Sequence, residues 1–250
     1  MNKIYRESFN IHSYEMDSQG RVSLQALCNY MQEIAGNHAQ ELGVSVQTLF
    51  KQNLTWVLSR LHVEINKYPF WKDTIMIETW PFGVEGKFAL REFILQNREG
   101  TEIGRATTSW MLLDIVKRKP VTIPDFIKNL RPSEPRRALP DGFEKLPLPE
   151  EISLQKEFEV RLDDLDINNH VNNVSYIEWA VETIPMEIWK SKRVHRLEIS
   201  YRAESRYGDR IISRTQQVKQ EGSICFLHCL LRDTDEKELA VLRTEWSDLI

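Results

Sequence analysis

Cysteine is scarce in this chain. Cys28, Cys225 and Cys229 are the only three, and they form no CxxC pair. Three unpaired cysteines make no disulfide framework and suit a reducing compartment, so a cytoplasmic location is expected. Glycine and proline are sparse too, at ten each, which excludes collagenous and low-complexity chains. Positive charge is not in excess. The 33 Lys and Arg face 37 Asp and Glu, giving a net charge of −4 and a pI of about 5.9. That balance argues against nucleic acid as the main partner. No apolar run approaches the roughly 18 residues of a membrane span. The opening Met1-Asn2-Lys3-Ile4-Tyr5-Arg6-Glu7 has no apolar core segment, so no secretory signal is expected. What the chain does have is 41% hydrophobic residues over 29.5 kDa, enough for one large domain or two of ordinary size.

Seven of the ten prolines crowd into one stretch: Pro120, Pro124, Pro132, Pro135, Pro140, Pro147 and Pro149. Proline fixes φ and removes a donor, so this stretch is neither a long helix nor a central strand. It reads as an ordered linker over 117–150, between an N-terminal unit, 1–116, and a C-terminal unit, 151–250. The two flanks resemble each other. At a shift of 149, Phe9-Asn10-Ile11 meets Phe158-Glu159-Val160, Val22 meets Val171, and Tyr30 meets Trp179. The shift then becomes 136. Arg60-Leu61-His62-Val63 meets Arg196-Leu197-Glu198-Ile199, Asp73 meets Asp209, and Trp110 meets Trp246. The first half therefore holds 13 more residues between its helix and its next strand.

Each half reads as one strand (3–12, then 154–162), one helix (22–36, then 172–184) and four β-rich runs. The runs cover 54–67, 74–80, 88–97 and 101–115 in the first half. In the second they cover 194–202, 210–219, 223–232 and 238–246. Val174, Ile177, Ala180, Val181 and Ile184 recur at helical spacing, as do Leu24, Leu27, Cys28, Met31, Ile34 and Ala35. An α+β class follows, with an antiparallel sheet wrapped around one apolar helix in each half.

One segment concentrates chemistry: Asp166-Ile167-Asn168-Asn169-His170-Val171-Asn172-Asn173. Read as extended chain, it places Asp166, Asn168 and His170 on one face. An imidazole moves protons near neutral pH, and an amide polarises a carbonyl or holds a water. Asn and Asp also serve as ordinary caps and turn residues. The matching stretch of the first half, Asp17-Ser18-Gln19-Gly20-Arg21-Val22, keeps the turn but puts Gln19 and Arg21 where Asn168 and His170 stand. A turn serving structure alone has no need of that asymmetry.

The run Asp-x-Asn-x-His-Val-Asn-Asn-x-x-Tyr-Ile-x-Trp resembles the active-site signature of the acyl-ACP thioesterases. Ile199-Ser200-Tyr201-Arg202-Ala203-Glu204-Ser205 resembles their second motif, and Trp56-Val57-Leu58-Ser59-Arg60 and Ile123-Pro124-Asp125 support the likeness. The resemblance implies two tandem hotdog units and hydrolysis of fatty acyl-ACP to free fatty acid and ACP. It also implies a catalytic network of Asp166, Asn168, His170 and Glu204. Ser205 stands where many members have Cys, so a thiol nucleophile is not expected and water attack is. Glu204 or His170 is then the base; a carboxylate route through an anhydride is the alternative. His12, His38, His62, His195 and His228 show no convergent metal spacing, so neither metal nor other cofactor is expected.

The resemblance further places the acyl pocket in the first half, with Met31, Ile34, Trp56 and Leu58 as candidates. ACP is acidic, so basic docking residues are expected: Arg136 and Arg137 in a linker of local charge +3, and Lys192 and Arg193. The chain is expected to act as a monomer or homodimer, with neither a nucleic-acid partner nor a membrane span. Three other readings share these residues. They are an acyl-CoA thioesterase of the same fold, a hotdog dehydratase or hydratase, and a non-catalytic acyl-thioester sensor.

Overall fold

The computed structural model describes residues 3–166, 168–220 and 222–248. The chain divides into two compact units at the Gly142–Phe143 bond.

The first unit contains β1 (Tyr5–Asn10), α1 (Leu24–Glu41), α2 (Val46–Phe50), β2 (Leu54–Ile65), β3 (Thr74–Glu85), β4 (Phe88–Gln96), β5 (Glu102–Asp114), β6 (Lys119–Val121) and α3 (Asp125–Lys128). Its strands form an antiparallel sheet in the order β1-β3-β4-β5-β2, and β6 pairs with the end of β5. α1 begins where Ser23 Oγ accepts the Ala26 N–H. Its apolar stripe, Leu24, Leu27, Cys28, Met31, Ile34 and Ala35, is buried. Each such large side chain contributes about 1.5–3 kcal/mol by leaving water. The helix runs five residues beyond the expected 22–36. α1's extra length and α2 occupy the stretch where this half is longer than the other.

The second unit contains β7 (Leu154–Glu159), α4 (Asn173–Val181), α5 (Met186–Ser191), β8 (Lys192–Tyr201), β9 (Arg210–Gln220), β10 (Ser223–Arg232) and β11 (Lys237–Asp248). These strands form an antiparallel sheet in the order β7-β9-β10-β11-β8. α4 buries Val174, Tyr176, Ile177, Trp179 and Ala180. Pro185 caps the start of α5, so the helical stretch expected over 172–184 closes earlier, at Val181.

The repeat extends to irregular features. The β2–β5 ladder slips at Ser59, and the β8–β11 ladder slips at the matching His195. Trp110 Nε1 donates to Thr108 Oγ1 at 2.9 Å, and Trp246 Nε1 to Thr244 Oγ1 at 3.0 Å. Asn66 N–H reaches Ile103 O, and Arg202 N–H reaches Leu239 O, both at 2.8 Å. Bulges are specific devices of a sheet, so their repetition at the same offset marks a shared architecture.

The proline-rich stretch is divided between the units. Ile123 and Ile127 join Leu42, Val44, Leu49 and Leu112 in a first-unit core, and Leu146 packs on Cys229, Leu231 and Val241 in the second. Among the described residues, no helix is long and apolar enough to cross a membrane.

Candidate active site

The described residues of 165–171 do not run extended, as the alternation argument assumed; Ile167 lies outside them. Leu165 and Val171 form an isolated antiparallel bridge, and Asp166 N–H donates to His170 O at 2.7 Å, so the chain doubles back between them. The turn is organised by one carboxylate. Asp166 Oδ1 accepts the N–H of Asn168 at 2.8 Å and that of His170 at 3.1 Å, and Oδ2 accepts Asn168 Nδ2 at 3.3 Å. Asn169 adopts φ +59°, the left-handed region that Asn tolerates better than most residues. The three polar residues converge because Asp166 gathers the backbone of the other two.

The first unit builds the same turn. Asp17 Oδ1 accepts Gln19 N–H at 2.8 Å and Arg21 N–H at 3.1 Å, and Gly20 takes the left-handed position at φ +76°. The scaffold is thus common to both halves, and only the side chains mounted on it differ. In the first unit Arg21 Nη2 donates to Gln19 Oε1.

In the second unit the turn presents His170 to Glu204. Nε2 lies 2.9 Å from Glu204 Oε2. Glu204 follows the end of β8 in a non-strand segment, and Ser205 beside it is fully buried while Glu204 is exposed. The two adjacent side chains look opposite ways although neither lies on a strand. Two residues before Glu204, Arg202 pairs with Glu238. Behind the site Asn172 caps α4, its Oδ1 accepting Val174 N–H at 3.1 Å. A half-exposed imidazole bonded to a carboxylate, beside an amide and a helix start, can take a proton from water and steady a developing oxyanion.

No thiol competes for this role. Cys28, Cys225 and Cys229 are all buried. Burial pushes Cys28 up to about 12 and Cys229 up to about 11, which keeps both as inert thiols at neutral pH.

The remaining expected residues lie elsewhere. Met31 and Ile34 are on the buried stripe of α1, and Leu58 is buried on β2. Trp56 packs in the cluster around Leu42, Val44 and Leu49, its Nε1 donating to Val44 O at 2.9 Å.

The basic residues expected at a docking surface need correction. Arg137 is mostly buried, paired with the fully buried Glu92 at 3.1 Å and donating to Asp141 O at 3.0 Å. Arg193 is buried, donating to Trp189 O and Lys192 O and stacking on Trp189. Lys192 pairs with Asp248 at 2.6 Å. A buried carboxylate and the carbonyls at a helix end each need a cation; Arg137 meets the first need and Arg193 the second, whereas the Asp248 carboxylate beside Lys192 is exposed. Arg136 is the one that stays largely exposed, over the Trp80 ring and 3.3 Å from Glu78. Tyr176 stood in the motif without a role assigned to it; its oxygen accepts Ser205 N–H at 3.1 Å. Comparison of the two halves at that position carried the signal.

The profile of the acyl-ACP thioesterase N-terminal domain matches residues 2–130, and that of the acyl-ACP thioesterase C-terminal domain matches residues 149–248. The chain is 32% identical to oleoyl-acyl carrier protein thioesterase 1, chloroplastic, of Arabidopsis thaliana, over 97% of this chain and 75% of that protein. Its structure resembles an acyl-ACP thioesterase from Bacteroides thetaiotaomicron, with a TM-score of 0.86 and 27% identity over 98% of both chains. It also resembles the 12:0-ACP thioesterase from Umbellularia californica, with a TM-score of 0.87 and 29% identity over 98% of this chain and 94% of that one.

Proposed function

The chain belongs to the acyl-ACP thioesterase family, and from that premise we propose how its own residues perform the reaction. It is a thioesterase of two tandem hotdog units that hydrolyses fatty acyl-ACP to free fatty acid and ACP. The mechanism is water attack on the thioester carbonyl. The observation that carries it is the 2.9 Å contact between His170 Nε2 and Glu204 Oε2, with all three cysteines buried elsewhere.

The His170–Glu204 pair takes the proton of the attacking water. The same pair returns it to the sulfur as the carbon–sulfur bond breaks. Asn168 polarises the carbonyl or holds the water. Asp166 spends its carboxylate on Asn168 and His170, so its part is to hold them in place. Ser205 takes no part, its side chain being buried beside Tyr176. The acyl pocket of this reading belongs to the first unit, with Met31, Ile34, Trp56 and Leu58 as its candidate residues. The relatives act on different chain lengths by name, oleoyl and 12:0, so membership alone sets no length. Three buried, unpaired thiols support a reducing compartment such as the cytoplasm.

The test is thiol release from acyl-ACPs of graded length, run beside the matching acyl-CoAs. Release of ACP thiol in step with free fatty acid, faster from ACP than from CoA, is expected. Binding without release would favour a sensor. Faster release from CoA would make the ACP assignment wrong.

A further inference from the structure

Glu204 stands outside the β8 ladder, yet it meets His170 at hydrogen-bonding distance. Something other than a strand must hold it there. Two hydrogen bonds to Ser205 do so. Val171 N–H, one residue past His170, donates to Ser205 O at 3.1 Å. Ser205 N–H donates to the Tyr176 hydroxyl oxygen at 3.1 Å. The residues following His170 and Glu204 are thus tied to each other, and the second is tied to α4. The Tyr176 ring is buried, edge-on to Trp179 at 5.5 Å and to Tyr201 at 5.9 Å, so its oxygen is firmly placed.

The first unit supplies a built-in control. Val22 N–H donates to Pro69 O at 3.1 Å, which reproduces the first tie. The second tie is missing on both sides. Pro69, at the place of Ser205, has no N–H, and Leu27, at the place of Tyr176, has no oxygen to accept one. Donor and acceptor are absent together in the half where Arg21 and Tyr68 replace His170 and Glu204. A bond needed only to close the loop has no reason to follow the catalytic pair.

We propose that Tyr176 is a positioning residue, whose oxygen anchors the Ser205 N–H and thereby holds Glu204 against His170. This rests on the His170–Glu204 pair being the proton-transfer centre. Burial raises the Tyr176 phenol above its ordinary range, which suits a fixed neutral hydrogen-bonding group. Phenylalanine at 176 keeps the ring and leaves a buried N–H without a partner, so the segment carrying Glu204 shifts to satisfy it.

The experiment is a double-mutant cycle in the full chain. Tyr176→Phe is expected to lower kcat about tenfold to hundredfold, the usual cost of a displacement near 1 Å, with KM unchanged. In a Glu204→Ala background it is expected to lower kcat no further, because the residue it positions is gone. Equal losses in both backgrounds would make Tyr176 merely structural and overturn the proposal. The ¹⁵N shifts of the His170 ring report its bond to Glu204 whatever the enzyme turns over. Tyr176→Phe should move them toward those of Glu204→Ala, and unchanged shifts in a folded variant refute the positioning role. If the wild type releases thiol from no acyl-ACP, the functional reading fails and these shifts alone decide the inference. Should the Phe variant not fold, 3-fluorotyrosine at 176 weakens the acceptor while keeping every heavy atom of the side chain. It should give a smaller loss with the same dependence on Glu204, and wild-type kcat would count against the proposal.

Discussion

Glu204 and Ser205 are adjacent in sequence and opposite in consequence, which allows a sharp test. Removing a positioned base costs about 10²–10⁴ in rate, or about 2.7–5.5 kcal/mol in barrier height. Stability should scarcely change. The His170 and Glu204 side chains are 42% and 44% exposed, and a pair so wetted is worth about 0–1 kcal/mol to folding. For a chain of this size, 1 kcal/mol moves Tm by about 2–4 °C. Glu204→Ala should therefore lose two to four orders of magnitude in kcat while melting within about 4 °C of wild type. Ser205→Ala should do neither. Its Oγ is buried beside the Tyr176 hydroxyl, so deleting it should cost folding at most about 1 kcal/mol, and the backbone N–H that reaches Tyr176 remains. Its kcat should stay within about twofold, since the barrier it leaves untouched is that of water attack. The assay is thiol release from acyl-ACP alongside thermal melts. Full activity in Glu204→Ala would refute the base assignment. Loss of activity in folded Ser205→Ala, or an acyl-Ser205 adduct by mass spectrometry, would replace water attack by a nucleophilic serine.

Asn168→Ala should lower kcat by about 10²–10³ with Tm little changed, as expected for one polarising donor on an exposed turn; unchanged kcat would remove Asn168 from the mechanism. Arg137→Ala should destabilise the chain by about 1–3 kcal/mol, because it leaves the buried Glu92 carboxyl with only Thr107 and Ala138 as hydrogen-bond donors, and unfolding in urea would show this. A variant that folds as well as wild type and only raises KM would restore Arg137 to docking. His228 is buried between Thr215 and Thr244 at 2.9 Å each, and burial lowers its pKa to about 3. The folded state thus refuses a proton that the unfolded chain accepts below about 6.5. Stability should be intact above that value and fall by about 2 kcal/mol between pH 8 and 5. His228→Gln should flatten that dependence in urea titrations, and an equal slope in both proteins would refute the assignment.

Much of the fold was legible because the chain states it twice. The shifts of 149 and 136 align both helices and every long strand, and the structure repeats even the bulges at Ser59 and His195. Where single residues set the outcome, sequence reasoning reached less far. The 165–171 segment has the composition of a turn, but alternation treated it as extended. Only the Asp166 carboxylate, accepting from two later N–H groups, decides between the two. Arg137 read as a docking residue because its partner, Glu92, lies on a distant strand whose burial no local pattern announces. Arg193 hid its role in the same way, in the carbonyls at the end of α5.

The duplicated turn also separates scaffold from chemistry. Asp17 and Asp166 make the same bonds to the same backbone positions at matching distances, so an Asp there serves folding in both halves. Asp166→Asn should then resemble Asp17→Asn in its effect on stability. Asn can offer one oxygen to the two N–H groups, but without the negative charge each bond weakens from a charge-assisted one toward a neutral one. A loss of about 1–2 kcal/mol is expected for each. Activity should part them. Asp166→Asn loosens the turn that carries Asn168 and His170 and should cost kcat, whereas Asp17→Asn loosens a turn carrying Gln19 and Arg21 and should leave kcat near wild type. Urea unfolding and thiol release on the two variants give both numbers. Equal losses of kcat would mean that the first-unit turn also serves the reaction. Equal stability with no loss of kcat in Asp166→Asn would mean that the carboxylate does not hold the catalytic residues in place.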